Sequence, residues 1–434
     1  MLYAGLDLSR KRVDVCLLDE DGKRIAVTAA PPDADGLRGL ARRLAGHGQP
    51  IYAALESMNG ARFVHDTLEE QGWHVELADA QKVKGLAPLA AKTDRIDAYV
   101  LAELARRDLV PAIWLPAPGV RAERELARFR LHLVRHRSAL KARIHASLIA
   151  HGHPCPVSDL FGVRGRKLLD DFELPEAWRA STEASLRVIG HLEAEIDACE
   201  RELRRQGADH PYVPLLMSAP GIGWVLAYTI AAEIGEIERF SGPKKLCGYT
   251  GLCPRVYQSG ASDRRGPLAK NGPKYLRWAL IEAATHAASH PCYAAHYQAT
   301  KRRLGRQRGA KVARVEVARK LAEWLILRSD DNGAASERYK AFLAENPGWP
   351  SQTMLRRRGE SALWDDKRDD SAVMAFFGGE QPISAKGKFV LARAMLARGD
   401  RKTAERLVRD AWREDSFSSD TEETALEQFG SLLN

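Results

Sequence analysis

The 434-residue chain carries 66 Lys+Arg against 57 Asp+Glu, a formal net charge of +9, with 45% hydrophobic and 28% charged residues. That balance fits two or three folded domains rather than a disordered chain, and the basic excess favours a polyanionic partner. The six cysteines, Cys16, Cys155, Cys199, Cys247, Cys253 and Cys292, form no C-x-x-C pair, which argues against a zinc site or a disulfide framework. With no export signal and no eighteen-residue apolar run to read, the expectation is a cytoplasmic protein with no membrane partner.

Leu2–Leu8 and Arg12–Asp19 read as strands, Glu20-Asp21-Gly22 supplies turn chemistry, and Arg24–Thr28 follows as a third strand. Gly36–Ala45 is helical by its Leu37, Leu40, Leu44 spacing. Ile51–Glu56 reads as a strand, Arg62–Gln71 as a helix and His74–Ala78 as a strand. Together these predict an α/β domain with a mixed sheet over residues 1–115.

A long helix is expected from near Asp94 to Arg107, stopped by Pro111 and Pro116. A second, Val120–Ala150, shows an apolar stripe of Leu126, Phe129, Leu133, Leu140, Ile144 and Leu148, with its arginines mostly elsewhere. With a return helix over Glu176–Gln206 it makes an antiparallel helical arm, residues 116–208. Such an arm is either a solvated hairpin or a nucleic-acid surface.

Four carboxylates stand out. Asp7 and Glu56 lie near the ends of two apolar strands, where desolvation is tolerated only with a partner or a metal. Asp94 and Asp97 are three apart at a helix start and share one face. Converging, the four could hold two Mg2+ ions roughly 4 Å apart for phosphodiester chemistry. The bland alternatives are a helix cap for Asp94, a dipole partner for Asp97 and a turn former for Asp7.

Residues 209–330 form a basic, mainly α unit. Leu215–Gly235 reads as a helix, a Pro-Gly-Ile-Gly turn and a second helix, similar to a helix-hairpin-helix, in which Gly221 and Gly223 would let a phosphate approach the backbone. The alternative is an ordinary helix corner. A loop-rich stretch between two helices then gathers Arg255, Arg264, Arg265, Lys270, Lys274 and Arg277, with Tyr249, Tyr257 and Tyr275 among them, a mixture suited to phosphate neutralisation and base stacking. Ser259 sits in a Gln-Ser-Gly turn inside that run, either a turn former or a nucleophile flanked by positive charge.

GLDLSRKRVDV, ALESMNG, KTDRIDAYVLAEL, SAPGIG and YTGLCPRVYQSGASDRRGPLAKNGPKYLRWALIEAA, in that order, resemble the DEDD transposases that include the pilin-gene invertases and the bridge-RNA-guided recombinases of insertion sequences. The resemblance covers about residues 1–328. It implies a ribonuclease-H-like, resolvase-like N-terminal domain whose metal carboxylates are Asp7, Glu56, Asp94 and Asp97, a coiled-coil arm, and a transposase domain in which Ser259 forms a covalent phosphoserine link to DNA. It further implies Mg2+, donor and target DNA, a structured guide RNA and a homo-oligomer, a dimer or a tetramer. Ser262, Ser218 and Ser241 compete for the serine role, and Ser259 alone falls in the family's Ser-Gly position.

The tail, residues 331–434, departs from that family. Its paired helices with Ala/Leu faces and Gly-Asp turns resemble part of the superhelix of soluble lytic murein transglycosylases, and an α-superhelical passenger, the less stable part of the chain, is expected. Lytic activity is not expected, because no catalytic domain follows and no export signal precedes. Glu360-Ser361 reads as a solvated face of an Arg-rich helix. The reading is a DNA transposase or site-specific recombinase. Its rivals are a metal-dependent, structure-specific nuclease without a covalent intermediate, a non-catalytic nucleic-acid binder and a wall-associated helical protein.

Overall fold

Leu2–Leu8 (β1) and Val13–Leu18 (β2) are apolar at nearly every position and become the most deeply buried strands of a five-stranded sheet. The computed structural model describes residues 1–434 except 87–93, 154, 260–261, 330–331, 415 and 434. It divides into two units, Met1–Ala117 and Pro118–Asn434.

In the first unit β2 pairs antiparallel with β1 and with Arg24–Ala30 (β3), while Ile51–Glu56 (β4) and His74–Ala78 (β5) extend the sheet in parallel on the other side of β1. The order is β3-β2-β1-β4-β5, so β1 is central. One face packs on Ala34–Ala45 (α1) and Ala61–Glu69 (α2) through Leu37, Leu40, Val64 and Leu68. Asp33 caps α1 by accepting from the Gly36 amide at 2.8 Å, as a helix N-terminus requires. Ala80–Leu86 (α3), not anticipated from the sequence, follows β5. Asp94–Arg106 (α4) covers the other face. It can do so because position 5 is glycine: a Cβ there would stand 1.8 Å from the Ala98 carbonyl oxygen.

The second unit begins with the arm, Pro118–Ala150 (α5), Val163–Asp171 (α6) and Glu176–Gly207 (α7). Its buried seam is not quite the expected one. Phe129 is 46% exposed, whereas Arg124 and Leu131 are buried. Arg124 reaches the Ala232 and Glu233 carbonyls, and that contact overrides the hydrophobic pattern.

Val213–Met217 (α8), Trp224–Ile234 (α9), Pro243–Thr250 (α10), Lys274–Ala287 (α11) and Pro291–Leu327 (α12, broken at Gly305, φ +74°) build a helical core around Trp324, Tyr228 and Leu280. Between α10 and α11, the stretch expected to be loop-rich is a β-hairpin, Pro254–Ser259 (β6) and Ser262–Leu268 (β7). Its signal was the strand-favouring pair Val256-Tyr257 followed by the Gln-Ser-Gly turn, which the density of arginines masks.

The tail supplies Ser336–Glu345 (α13), Gln352–Asp365 (α14), Asp370–Phe377 (α15), Ala385–Ala397 (α16), Arg401–Glu414 (α17) and Ser419–Leu433 (α18). The core of this unit includes side chains from the tail. Tyr339, Phe342, Trp349 and Leu355 belong to the same buried cluster as Trp324. Trp349 meets Tyr293 edge-on with ring centroids 4.5 Å apart, and Trp324 donates its Nε1 proton to the Pro350 carbonyl at 2.9 Å. Only from Leu363 onward does a separate core of Trp364, Phe389, Val408 and Phe429 begin.

One reading of the tail is corrected here: Glu360 is not on a solvated face but fully buried. Its carboxylate accepts from the Ile383 amide at 3.1 Å, the Ser384 hydroxyl at 2.5 Å and Arg356 Nε at 3.3 Å. Among the described residues no helix is long and apolar enough to cross a membrane.

Candidate active site

The first group of candidates sits on the α4 side of the sheet. Gly5 lies under Ala98 of α4, and its parallel neighbour Ala54 is buried with Leu101 and Ala105. Side chains alternate along a strand, so Asp7 and Glu56, each two residues further on, face the same side. The register Leu6↔Leu55 places them next to one another, one step beyond, at the C-terminal ends of adjacent parallel strands. Both are partly exposed, as carboxylates open to a solvent ion must be. Asp97 immediately precedes Ala98 on α4 and is partly buried. Asp94 opens the same helix, but its side chain lies outside the described residues.

A fifth carboxylate, missed in the sequence, joins this face. Asp14 lies directly across from Asp7 in the antiparallel register and is 6% exposed, held by Arg12 Nε at 2.7 Å. The tight Ser9–Arg12 turn sets that register. Like charges directly opposed destabilise a sheet unless a cation intervenes, and Arg12 is one such cation. Among the described residues no three His, Cys, Asp or Glu side chains are gathered closely enough to hold a metal. The donor set, hard carboxylate oxygens on one face at strand ends, nonetheless has the chemistry for a divalent cation of the magnesium or calcium type.

The second group occupies the hairpin. Ser259 ends β6 and pairs with Ser262 at the start of β7, while Tyr257 pairs with Arg264. Opposed residues share a face, so Arg255, Tyr257, Ser259, Ser262 and Arg264 point one way, and Val256, Gln258, Asp263 and Arg265 the other. A Cβ on Gly266 would stand 3.0 Å from the Tyr257 ring and 3.4 Å from Arg255 Cβ, which agrees with that division. On the far face Arg265 is neutralised by Asp263 at 2.8 Å. On the serine face the described residues give neither Arg255 nor Arg264 a carboxylate partner. An exposed serine at the hairpin tip, with an exposed tyrosine and then Arg264 and Arg255 behind it on the same face, is an arrangement suited to a phosphate.

The remaining candidates divide. Gly221, at φ +89°, is packed by protein: a Cβ would meet the Ala283 carbonyl oxygen at 2.6 Å and the Ala287 amide at 2.8 Å. Gly223 is exposed at the start of α9 with open space where a Cβ would be. Lys270 takes a left-handed conformation, φ +57°, at the turn before α11. Lys274 opens α11 exposed, and Arg277 donates to the Thr250 and Asn271 carbonyls, both at 3.4 Å. Of the competing serines, Ser218 bonds to Arg328 Nη1 at 3.0 Å, far in sequence from the hairpin.

An α/β unit with strand-end carboxylates, followed by a helical unit that displays a serine among arginines, defines a class of enzyme that acts on nucleic-acid phosphodiesters. Comparison with known proteins gives the family. Residues 4–151 match a family model of DEDD transposases of the IS110 type, and residues 213–298 match that of the transposase IS116/IS110/IS902 family, together more than half of the chain. The transposase of insertion sequence element IS1328 from Yersinia enterocolitica is 28% identical over 235 residues, 54% of this chain and 70% of that protein. The transposase of IS1111A from Coxiella burnetii is 27% identical over 297 residues, 66% and 78% of the two chains. A pilin gene-inverting protein from Moraxella bovis is 30% identical over 138 residues, 32% and 41% of the two chains. The chain belongs to this family of insertion-sequence transposases and is a DNA transposase/recombinase. Neither match extends into residues 299–434.

Proposed function

We propose that this transposase exchanges DNA strands through a Ser259 nucleophile, with a Mg2+ site built from Asp7, Glu56, Asp94 and Asp97 on a ribonuclease-H-like domain. The single observation that supports the serine assignment is the hairpin face that carries Ser259 at its tip with Arg264 and Arg255 behind it. The ribonuclease-H-like reading is supported by the mixed sheet with β1 at its centre. The DEDD family itself suggests a divalent cation. When bound, such a cation would neutralise charge developing on phosphate oxygens.

The chain's own residues do the rest. Arg255 and Arg264 bind the non-bridging oxygens of the target phosphate. Ser259 Oγ attacks phosphorus, its proton passing to solvent or to a carboxylate, and the displaced deoxyribose oxygen takes up a proton as it leaves. The phosphoserine bond conserves the energy of the broken phosphodiester, so the step reverses when a new hydroxyl attacks. Gly223 at the start of α9, with Arg265, Lys270, Lys274 and Arg277, contributes backbone contacts along the DNA. Donor ends and target DNA, a structured guide RNA that pairs with both, and a homo-oligomer complete the reaction. From Leu363 onward the tail is a helical-repeat module appended to this machinery.

The test is an adduct-trapping assay with the element's DNA ends, its guide RNA and Mg2+. A covalent protein–DNA species is expected from the wild type and none from Ser259→Ala, with binding retained. Cleavage without an adduct in the wild type would assign the reaction to the carboxylate site alone.

A further inference from the structure

The base of the arm holds a feature that the serine hairpin does not use. Arg124, buried, donates through Nε to the Ala232 carbonyl at 2.7 Å and through Nη2 to the Glu233 carbonyl at 2.6 Å, so α5 is locked to the carboxyl end of α9. One turn on, Arg128 makes a two-pronged ion pair with the buried Glu233 carboxylate, at 2.6 and 2.9 Å. Two turns further along the same face stands Arg135, which is exposed. Arg128, Arg135 and, from α11, Lys274 all approach one ring, that of Tyr275, at 5.0, 5.7 and 5.0 Å from its centroid.

A tyrosine face attracts one cation well, but three around it repel each other, since their separations are of the order of a Debye length, about 10 Å at 0.1 M salt. Glu233 answers Arg128 only. Among the described residues neither Arg135 nor Lys274 has a carboxylate within ion-pair reach. The missing charge is therefore an external anion, and the geometry describes it. The two free cations lie on different elements, held at fixed separation by a buried lock, with an aromatic ring between them. A single small anion needs no such span, whereas successive phosphates of a nucleic-acid strand do.

We propose that Arg135, Lys274 and Tyr275, braced by Arg128 and Glu233, form a clamp for a sugar–phosphate backbone, shared between the arm and the serine-bearing core. The clamp rests on the nucleic-acid-handling reading but not on the serine assignment. Duplex DNA and structured RNA offer the same phosphates, and the experiment separates them.

The experiment measures the salt dependence of binding of the full chain to a fluorescent duplex DNA and, separately, to an RNA hairpin. Each phosphate contact contributes about 0.9 to the slope of log K against log salt on duplex DNA. Arg135→Ala/Lys274→Ala is expected to lower that slope by about two, while the equally charged Arg401→Ala/Lys402→Ala control on α17 leaves it unchanged. A lowered slope on DNA only, RNA only or both supports the clamp and names the strand it holds. An unchanged slope on both, or an equal fall in the control, overturns it. Ser259→Ala is run alongside and is expected to bind with the wild-type slope. Loss of the adduct assignment with the slope effect intact would remove the nucleophile and leave the clamp.

Discussion

At the scale of single residues, three positions carry more than their size suggests. Gly5 lets the α4 backbone rest directly on β1, and that approach brings Asp97 toward Asp7 and Glu56. Overpacking typically costs about 1–3 kcal/mol, and here the clash is with backbone that cannot rotate away. Gly5→Ala is therefore expected to lower the melting temperature and, if the proposed carboxylate site is the active one, to abolish recombination with it. Retained activity at wild-type stability would show that α4 does not set the site. Ser259 needs less from its surroundings, since Arg264 comes with the strand pairing and Arg255 with the alternation along β6. Glu360 is the third: burial pushes its carboxyl above the usual carboxylate range, only partly offset by Ser384, Ile383 and Arg356. A raised folded-state pKa means that the stabilising contribution is complete below the ordinary carboxylate pKa and is lost as pH rises through the raised value. Melting of the wild type against Glu360→Gln should diverge over that window, the wild type losing ground as pH rises; parallel profiles would mean that folding leaves the Glu360 pKa unchanged, and a wild type that gains as pH rises would mean that it is lowered.

At the scale of elements, the strands and helices of residues 1–78 could be read directly, because hydrophobic period and turn chemistry agree there. Ile51–Glu56 and His74–Ala78 keep their expected bounds. The carboxylates that a chemist would choose were legible as well, but Asp14 was not, since its place opposite Asp7 follows from pairing register and not from composition. The β6–β7 hairpin was hidden by its own arginines, and the arm's buried seam by Arg124, whose partners are 108 and 109 residues away. Contacts of that range leave no local trace. The α13–α14 pair shows the same limit: Trp349 fills a gap between Tyr293 and Phe342 that nothing in its own helices announces. Trp349→Ala is expected to cost about 3–5 kcal/mol, as large-to-small changes of buried aromatics do. Denaturant unfolding would read this, and a loss under about 1 kcal/mol would mean that the ring is replaceable by relaxation.

At the scale of the whole chain, α14 is a shared beam. Its first half gives Leu355 to the core of Trp324, and its second half gives Leu363 and Trp364 to the core of the tail. Two truncations separate these duties. A chain ending at residue 366 keeps every side chain of the first core and is expected to retain most of that unit's thermal stability. A chain ending at residue 333 loses Tyr339, Phe342, Trp349 and Leu355. At about 2–5 kcal/mol each, they rival the 5–15 kcal/mol that holds an ordinary domain together. Circular dichroism melts of the two truncations should differ sharply, and coincident melts would show the tail to be independent of the enzyme.

The beam also bears on how such a chain changes over generations. On that expectation a stop codon at position 334 removes material that the recombinase needs in order to fold, while a stop codon at 367 does not. Selection on strand exchange would then keep residues 334–366 whether or not the remaining helices ever meet a ligand, and damaging substitutions should accumulate first beyond residue 366. Once its first two helices had entered the core, the extension could erode only from its far end: a ratchet set by packing.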